Sequence, residues 1–204
     1  MSEQRTEEWF ADRLGKVTAS RIADVMMKPT TAGYANYQAQ LVCERLTGQP
    51  TETFTSAAMQ HGTDTEPQAR AMYELTCGVD VVEVGFIPHP ALEMSGASPD
   101  GLVGDDGLVE IKCPQPATHI KTLTGKNIDR KYLLQMQWQM ACTGRQWCDF
   151  VSFCPSFPAD LQIFVKRVER DAELVEEITA AVTQFLAGVD AMTETLTNLS
   201  KEAA

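Results

Sequence analysis

Ser98-Pro99-Asp100-Gly101, then Gly104-Asp105-Asp106-Gly107, then Leu108-Val109-Glu110-Ile111-Lys112-Cys113 is the stretch on which the reading of this chain turns. From Leu108 to Cys113 the residues alternate as a strand does, so Glu110 and Lys112 project from one face while Val109 and Ile111 point to the other. The Gly104–Gly107 segment has the turn residues that join two antiparallel strands. It folds Asp100, which closes the preceding segment, back toward Glu110. The predicted product is a hairpin that gathers two carboxylates and one amine.

Those groups suit one chemistry in particular. Attack on a phosphodiester builds negative charge on an anionic centre, so hydrolysis calls for a divalent cation and an activated water. Two hard carboxylate oxygens suit Mg²⁺ or Mn²⁺. Magnesium keeps several waters and takes one or two protein carboxylates, and the backbone carbonyl of Ile111 can supply a further ligand. An ammonium at Lys112 can orient the nucleophile, help lower its pKa and offset charge in the transition state. Asp-then-Glu-x-Lys at loose spacing also arises on an ordinary solvated strand face, so the rest of the chain has to decide.

Read over most of its length, the sequence resembles the lambda exonuclease family, the phage alkaline exonucleases within the PD-(D/E)xK nuclease superfamily. Trp9 and Arg13-Leu14-Gly15-Lys16-Val17-Thr18-Ala19-Ser20 are similar to that family's opening segment, followed by Lys28-Pro29. Gly62 through Glu66, Ala69-Arg70 and Glu74 resemble its glutamate-bearing helix. Ser98–Gly101 and Glu110–Pro114 match its catalytic strands, and Tyr132-Leu133-Leu134-Gln135-Met136-Gln137 its downstream glutamine motif. Five blocks in the right order are far more specific than any one of them.

The resemblance implies that Glu66, Asp100 and Glu110 are metal-binding carboxylates, with the Ile111 carbonyl beside them, that Lys112 is the catalytic lysine and that Gln135 positions water or phosphate. It also implies that Arg13, Ser20 and Ser98 form a pocket for a terminal 5′-phosphate. Thr18-Ala19-Ser20 precedes a helical pattern of Ile22, Val25 and Met26, and free N–H groups at a helix start attract phosphate. The implied activity is Mg²⁺-dependent 5′-to-3′ degradation of linear duplex DNA, with Mn²⁺ as a substitute. Single strands for phage-type recombination would be the product. A homotrimer and a phage single-strand annealing partner are implied in the same way. A restriction-like endonuclease shares the core residues, and a nonenzymatic DNA-end or protein-interaction module is the reading outside the nuclease class.

Three positions depart from the family pattern. Thr30 stands where an arginine near the strand ends is found, and His61 replaces a tryptophan. Pro67 follows Glu66 directly, which places Glu66 at a bend or a helix start rather than mid-helix.

The 204 residues, 44% of them hydrophobic and without a Gly/Ser linker, predict one nuclease domain over 1–204, with 189–204 a helical or frayed tail. The polar opening Met1-Ser2-Glu3-Gln4-Arg5 does not read as a secretory signal, and no stretch reaches membrane-spanning length, so a cytoplasmic location in a bacterial host is expected. Six cysteines without a Cys-x-x-Cys pair predict buried free thiols, with neither a disulfide framework nor a zinc site. None of the three histidines has a second at metal-ligand spacing, which predicts surface or partly buried structural roles for them.

A net charge of −11 argues against a polyanionic partner until it is resolved locally. Residues 112–131 have a balance of +4 and residues 13–38 of +3, whereas residues 169–204 have −6. Two basic segments flanking the hairpin allow DNA to enter a defined channel, while acid elsewhere discourages nonspecific adhesion.

The periodicity predicts helices over 20–28, from about Tyr37 to Gly48, over 59–76, through Leu133–Met140 up to Gly144, and from Asp171 onward. Strands are predicted at 79–87, in the hairpin, at 149–154 and at 161–168. The fold class is α/β (α+β), a central mixed β-sheet flanked by helices with a restriction-endonuclease-like core.

Overall fold

The computed structural model describes residues 4–51 and 57–202. Met1 to Glu3 of the polar opening and the last two residues of the tail lie outside them. In chain order the elements are α1 (Glu7–Arg13), β1 (Val17–Thr18), a 3₁₀ turn (Ala19–Arg21), α2 (Ile22–Val25), α3 (Ala32–Thr47) and α4 (Ala57–Cys77). Then come β2 (Val81–Val82), β3 (Ile87–Pro88), β4 (Ser95–Ala97), β5 (Gly101–Val103), β6 (Gly107–Lys112), α5 (Pro116–Gly125) and α6 (Arg130–Thr143). The chain continues through β7 (Trp147–Phe153), a second 3₁₀ turn (Ala159–Leu161), β8 (Ile163–Glu169) and α7 (Ala172–Glu202).

The central sheet has the order β2-β5-β6-β7-β8. It is mixed: β5 pairs antiparallel with β6, β6 parallel with β7 and β7 antiparallel with β8. The parallel pair requires a crossover, which α5 and α6 provide. A second, three-stranded sheet of order β1-β4-β3 was not foreseen from the sequence. Its strands are two or three residues long, too short for period-2 alternation to register.

Strand β6 is buried on both faces, which is why its sequence mixes Leu, Val and Ile with only two charges. Val109 and Ile111 pack with Ala69 and Tyr73 of α4 and with Val151 and Phe153. Leu108 packs on the opposite side with Met136 and Met140 of α6. Glu110 shares that second side and so lies under α6. A third cluster joins Tyr37 and Leu41 of α3, Trp138 of α6 and Ile178, Val182 and Phe185 of α7 around Val17, Ile22 and Val25.

The β5–β6 hairpin is braced from outside. Arg145 Nη1 reaches the carbonyls of Gly104 (2.8 Å) and Gly107 (2.7 Å). On the α4 side Asp149 is buried but fully engaged: Tyr73 donates to it at 2.8 Å and Arg167 at 2.9 and 3.0 Å. This carboxylate ties α4 to β7 and β8. α3 and α6 end where expected, at Gly48 and Gly144 in the left-handed region that favours glycine.

Several expectations are corrected. Residues 79–87 do not form one strand; β2 and β3 belong to different sheets, and Val84, Gly85 and Phe86 between them are consecutively buried. The helix expected over 20–28 is a 3₁₀ turn followed by one turn of α2. α1 and α5 were missed because both are short and mostly exposed, leaving no apolar stripe to read. Pro67 does not start a helix: α4 runs on through it, and Glu66 stands mid-helix. The tail from 189 extends α7 as part of one 31-residue helix. Of the cysteines, Cys142, Cys148 and Cys154 are buried, Cys113 is half-buried, and Cys43 and Cys77 are exposed. His119 is fully buried between Ser152 Oγ (2.8 Å) and the Leu161 carbonyl (2.9 Å), bracing α5 against β7.

Candidate active site

The hairpin does what its turn predicts. Gly101 pairs with Val109, so the next rung sets Asp100 opposite Glu110. Asp100 Oδ2 also accepts from the Ile111 backbone N–H at 2.7 Å, which locks the carboxylate onto the strand beside the Ile111 carbonyl. Glu110 is entirely buried, an arrangement that stands only when a carboxylate is surrounded by donors. Lys112 forms an ion pair with its Oε1. α6 supplies the rest: Gln135 Nε2 donates to Oε1 at 2.7 Å and Gln139 Nε2 to Oε2 at 2.6 Å.

Gln139 is the residue that the sequence reading missed. It stands one helical turn beyond Gln135, so a Gln-x-x-x-Gln spacing on the face toward β6 was the available signal.

The electrostatics follow from this crowding. Burial and the neighbouring charge of Glu110, with a smaller contribution from Glu66, hold the Asp100 carboxyl well above the ordinary aspartate range, although Lys112 works against the shift. Burial opposes the charge on Lys112, but Glu110 and Asp100 outweigh it and keep the ammonium protonated above its ordinary value. Lys112 is therefore a charge and a hydrogen-bond donor here, not a base. Burial, with Glu66 and Asp100 nearby, pushes the Cys113 thiol up to about 12, so it is no nucleophile at neutral pH.

Glu66 approaches from α4. Its Oε2 pairs with Arg5 at 2.6 Å and its Oε1 with Arg70 at 2.9 Å, and Arg70 also reaches Glu83 at 2.8 Å. Gln4 fastens the segment bearing Arg5 by donating to the carbonyls of Val84 and Pro99, both at 2.9 Å.

Among the described residues no three His, Cys, Asp or Glu side chains converge as a protein-only metal cage requires. The donor set nevertheless fits a hard divalent ion of the magnesium type, which retains waters and takes one or two carboxylates. Asp100 and Glu110 are such a pair, they share a strand rung, and their mutual repulsion is what a cation relieves.

A second cluster lies at the α1–β1 junction. Arg13 stacks on the Trp9 ring, 4.0 Å from its centroid, and donates to Ser98 Oγ at 3.1 Å; Trp9 Nε1 donates to the same oxygen at 3.0 Å. Burial pushes the Arg13 pKa down to about 10, with Tyr37 and Glu44 opposing, so it remains a cation at neutral pH. Arg13 and Ser20 line one pocket of about 370 Å³ with Lys16, Arg21 and Glu44. Ser20 is exposed and belongs to the 3₁₀ turn rather than the first turn of a helix. Arg13 and Ser98 are thus directly joined, and Ser20 faces the same space.

The exposed Lys121, Lys126, Arg130 and Lys131 lie on α5, α6 and the connection between them, and Tyr132 links Lys131 (4.8 Å) with Lys112 (5.1 Å) through its ring. Thr30 is exposed and His61 half-buried.

The YqaJ-like viral recombinase domain matches residues 8–146, a span that holds every one of these groups except Gln4 and Arg5. The chain belongs to that family, the lambda exonuclease family. Its members are nucleases, and this chain is a nuclease enzyme. An alkaline exonuclease from Laribacter hongkongensis is 54% identical, with 98% of this chain and 100% of that one covered and a TM-score of 0.93. The same protein in complex with dAMP matches equally well. A phage-related exonuclease from Haemophilus somnus 129PT is 16% identical over 89% of this chain and 96% of its own, with a TM-score of 0.75, a likeness of fold alone. No curated protein sequence matches this chain. No helix among the described residues is long and apolar enough to cross a membrane.

Proposed function

We propose that this YqaJ-family nuclease is a Mg²⁺-dependent exodeoxyribonuclease that degrades linear duplex DNA from 5′-phosphorylated ends in the 5′-to-3′ direction. The observation that carries this reading is the convergence of Asp100, Glu110 and Lys112 on one hairpin, under two glutamines of α6. The 54% identity to an alkaline exonuclease supports it, as does the complex of that protein with dAMP, a deoxynucleoside monophosphate of the kind such cleavage releases.

In this reading Asp100, Glu110 and the Ile111 carbonyl hold the cation, and Glu66 contributes once its arginine partners give way. Mg²⁺, or Mn²⁺ in its place, would supply Lewis-acid polarisation of the scissile phosphate and a water acidic enough to attack near neutral pH. Lys112 orients the attacking water and offsets the charge that builds on the phosphoryl oxygens. Gln135, partly exposed above Glu110, holds water or phosphate in register. Arg13, Ser20 and Ser98 receive the terminal phosphate, whose charge-assisted contact to a guanidinium already braced by Trp9 aims the strand end at the carboxylates. The basic surface of α5 and α6 follows the duplex. The single strand produced would feed phage-type recombination in the host cytoplasm, with a homotrimer as the assembly and a phage single-strand annealing protein as partner.

The deciding assay compares linear 5′-phosphorylated duplex, linear 5′-hydroxyl duplex and closed circular DNA, each with Mg²⁺ and with EDTA. Metal-dependent loss of linear DNA, fastest with the 5′-phosphate, is expected. Cutting of closed circles points instead to an endonuclease, and no metal-dependent loss of any substrate to a binding module.

A further inference from the structure

We propose that Gln139 is a positioning residue of the active site, which fixes the second carboxylate oxygen of Glu110 so that the first is presented to the cation in one orientation. The inference rests on the reading of Glu110 as a metal-binding carboxylate.

A carboxylate only accepts hydrogen bonds, so the amide nitrogens of Gln135 and Gln139, not their oxygens, must face Glu110. Gln135 shares Oε1 with Lys112, whereas among the described residues Gln139 alone reaches Oε2, at 2.6 Å. The terminal torsion of a glutamate is broad. With Oε2 released, the carboxylate plane is held from one side only. Gln139 is entirely buried, which keeps it from DNA and leaves Glu110 as the group through which it acts.

The other end of Gln139 argues that this position is not simply structural. Its Oε1 is buried and has no donor among the described residues. Gln137, two residues away on the same helix and also buried, uses both ends: Nε2 donates to the Glu169 carbonyl at 2.8 Å and Oε1 accepts from the Asp171 N–H at 2.9 Å, joining α6 to β8 and α7. Gln137 is a packing brace. Gln139 keeps an unpartnered buried acceptor for the sake of one bond to Glu110, and an unsatisfied acceptor of this kind lowers stability.

The test is calorimetric titration of the full-length protein with Mn²⁺ in the absence of DNA, for the parent, Gln139→Met, Gln137→Met and Glu110→Ala. Partners that orient metal ligands typically carry 10–100-fold in affinity, so Gln139→Met is expected to bind Mn²⁺ at least about tenfold more weakly. Its unfolding temperature should fall, because the buried Glu110 Oε2 loses its donor, and its kcat should drop with a DNA KM within about twofold. Gln137→Met should lower the unfolding temperature and leave Mn²⁺ affinity alone. Parental Mn²⁺ affinity in Gln139→Met overturns the proposal, as does an equal weakening in Gln137→Met. If Gln139→Met does not fold, Gln139→Leu replaces it, and failure of both makes the residue a brace and overturns the proposal. Unchanged Mn²⁺ binding in Glu110→Ala overturns the metal reading and this inference with it; loss there beside parental binding in Gln139→Met overturns this inference alone.

Discussion

Asp100→Asn is expected to make the metal-free protein more stable while ending its activity. Asp100 immediately precedes β5, where the β5–β6 register, continued by one residue beyond the Gly101–Val109 pair, sets it opposite Glu110. Side chains so placed have Cβ atoms about 5 Å apart, and two unit charges at that separation repel by roughly 3 kcal/mol at an effective dielectric near 20. Lys112 attracts both carboxylates and cancels part of this, leaving a net gain of about 1–2 kcal/mol. Asparagine keeps an oxygen to accept from the Ile111 N–H, so no buried donor is orphaned. For a chain of this size that gain is a rise of about 3–6 °C in Tm. The pH dependence has a definite sign. Because the folded-state pKa of Asp100 is raised, the stability linked to its proton is complete below the ordinary aspartate range and is lost as pH climbs through the raised value. The advantage of the asparagine variant is therefore small in acid, opens across that window and is full above it. Thermal and urea unfolding in EDTA, in a pH series from 4 to 9 chosen to bracket the window, measures it. A variant no more stable than the parent at the alkaline end refutes the argument that these two charges oppose each other.

Lys112→Met should reduce kcat by about 10²–10³-fold or more, since in the proposed function its ammonium is aimed at developing charge, while Gln135 and Gln139 still donate to Glu110; single-turnover rates and circular dichroism separate loss of chemistry from loss of fold. Arg13→Ala should lose its preference for 5′-phosphorylated over 5′-hydroxyl duplex, and equal loss on both substrates would assign Arg13 to folding or general DNA binding. Arg145→Met should cost about 1–3 kcal/mol in urea unfolding, because the hairpin carbonyls of Gly104 and Gly107 lose the donor that ties them to the end of α6.

The hairpin was legible in the sequence because both of its signals are local: a turn rich in Gly and Asp, and period-2 alternation over six residues. The long helices were legible for the same reason, having apolar stripes and, for α3 and α6, glycine stops. What failed to show was set by tertiary contact. Val84, Gly85 and Phe86 are buried in a row because the chain there passes between two sheets, so their alternation with Val81 and Val82 carried no strand information. Pro67 reads locally as a helix start, yet α4 continues through it because Ala69 and Tyr73 on the following turn pack against β6 and β7. At the site, Asp100, Glu110 and Lys112 were found from residue type and spacing and Gln135 from the family resemblance, and the structure brings the four together. Gln139 and Arg5 were not found, because a glutamine under a helix and an arginine near the chain start take on meaning only when a buried carboxylate faces them.

The charges around the hairpin explain how three carboxylates pack together in an acidic protein. Three carboxylates, Asp100, Glu110 and Glu66, meet three cations, Lys112, Arg70 and Arg5, and two carboxamides. Glu110 and Lys112 neutralise each other in the interior, where an unpaired charge is costly. Glu66 has both oxygens taken by arginines, one from its own helix and one from the segment pinned by Gln4, so its charge reaches Asp100 only weakly. Of the three, Asp100 alone has no salt bridge among the described residues, and burial beside Glu110 raises its pKa. In the proposed function a divalent ion held by Asp100 and Glu110 would relieve their mutual repulsion. Among the partners around it, Arg5 is on the more exposed side of its pair with Glu66, at 46% against 14%, and is the one that water can most readily take over. Lys112, paired with the interior Glu110 and with its pKa raised, would keep its proton at the site, where the proposed function has it act on the phosphate.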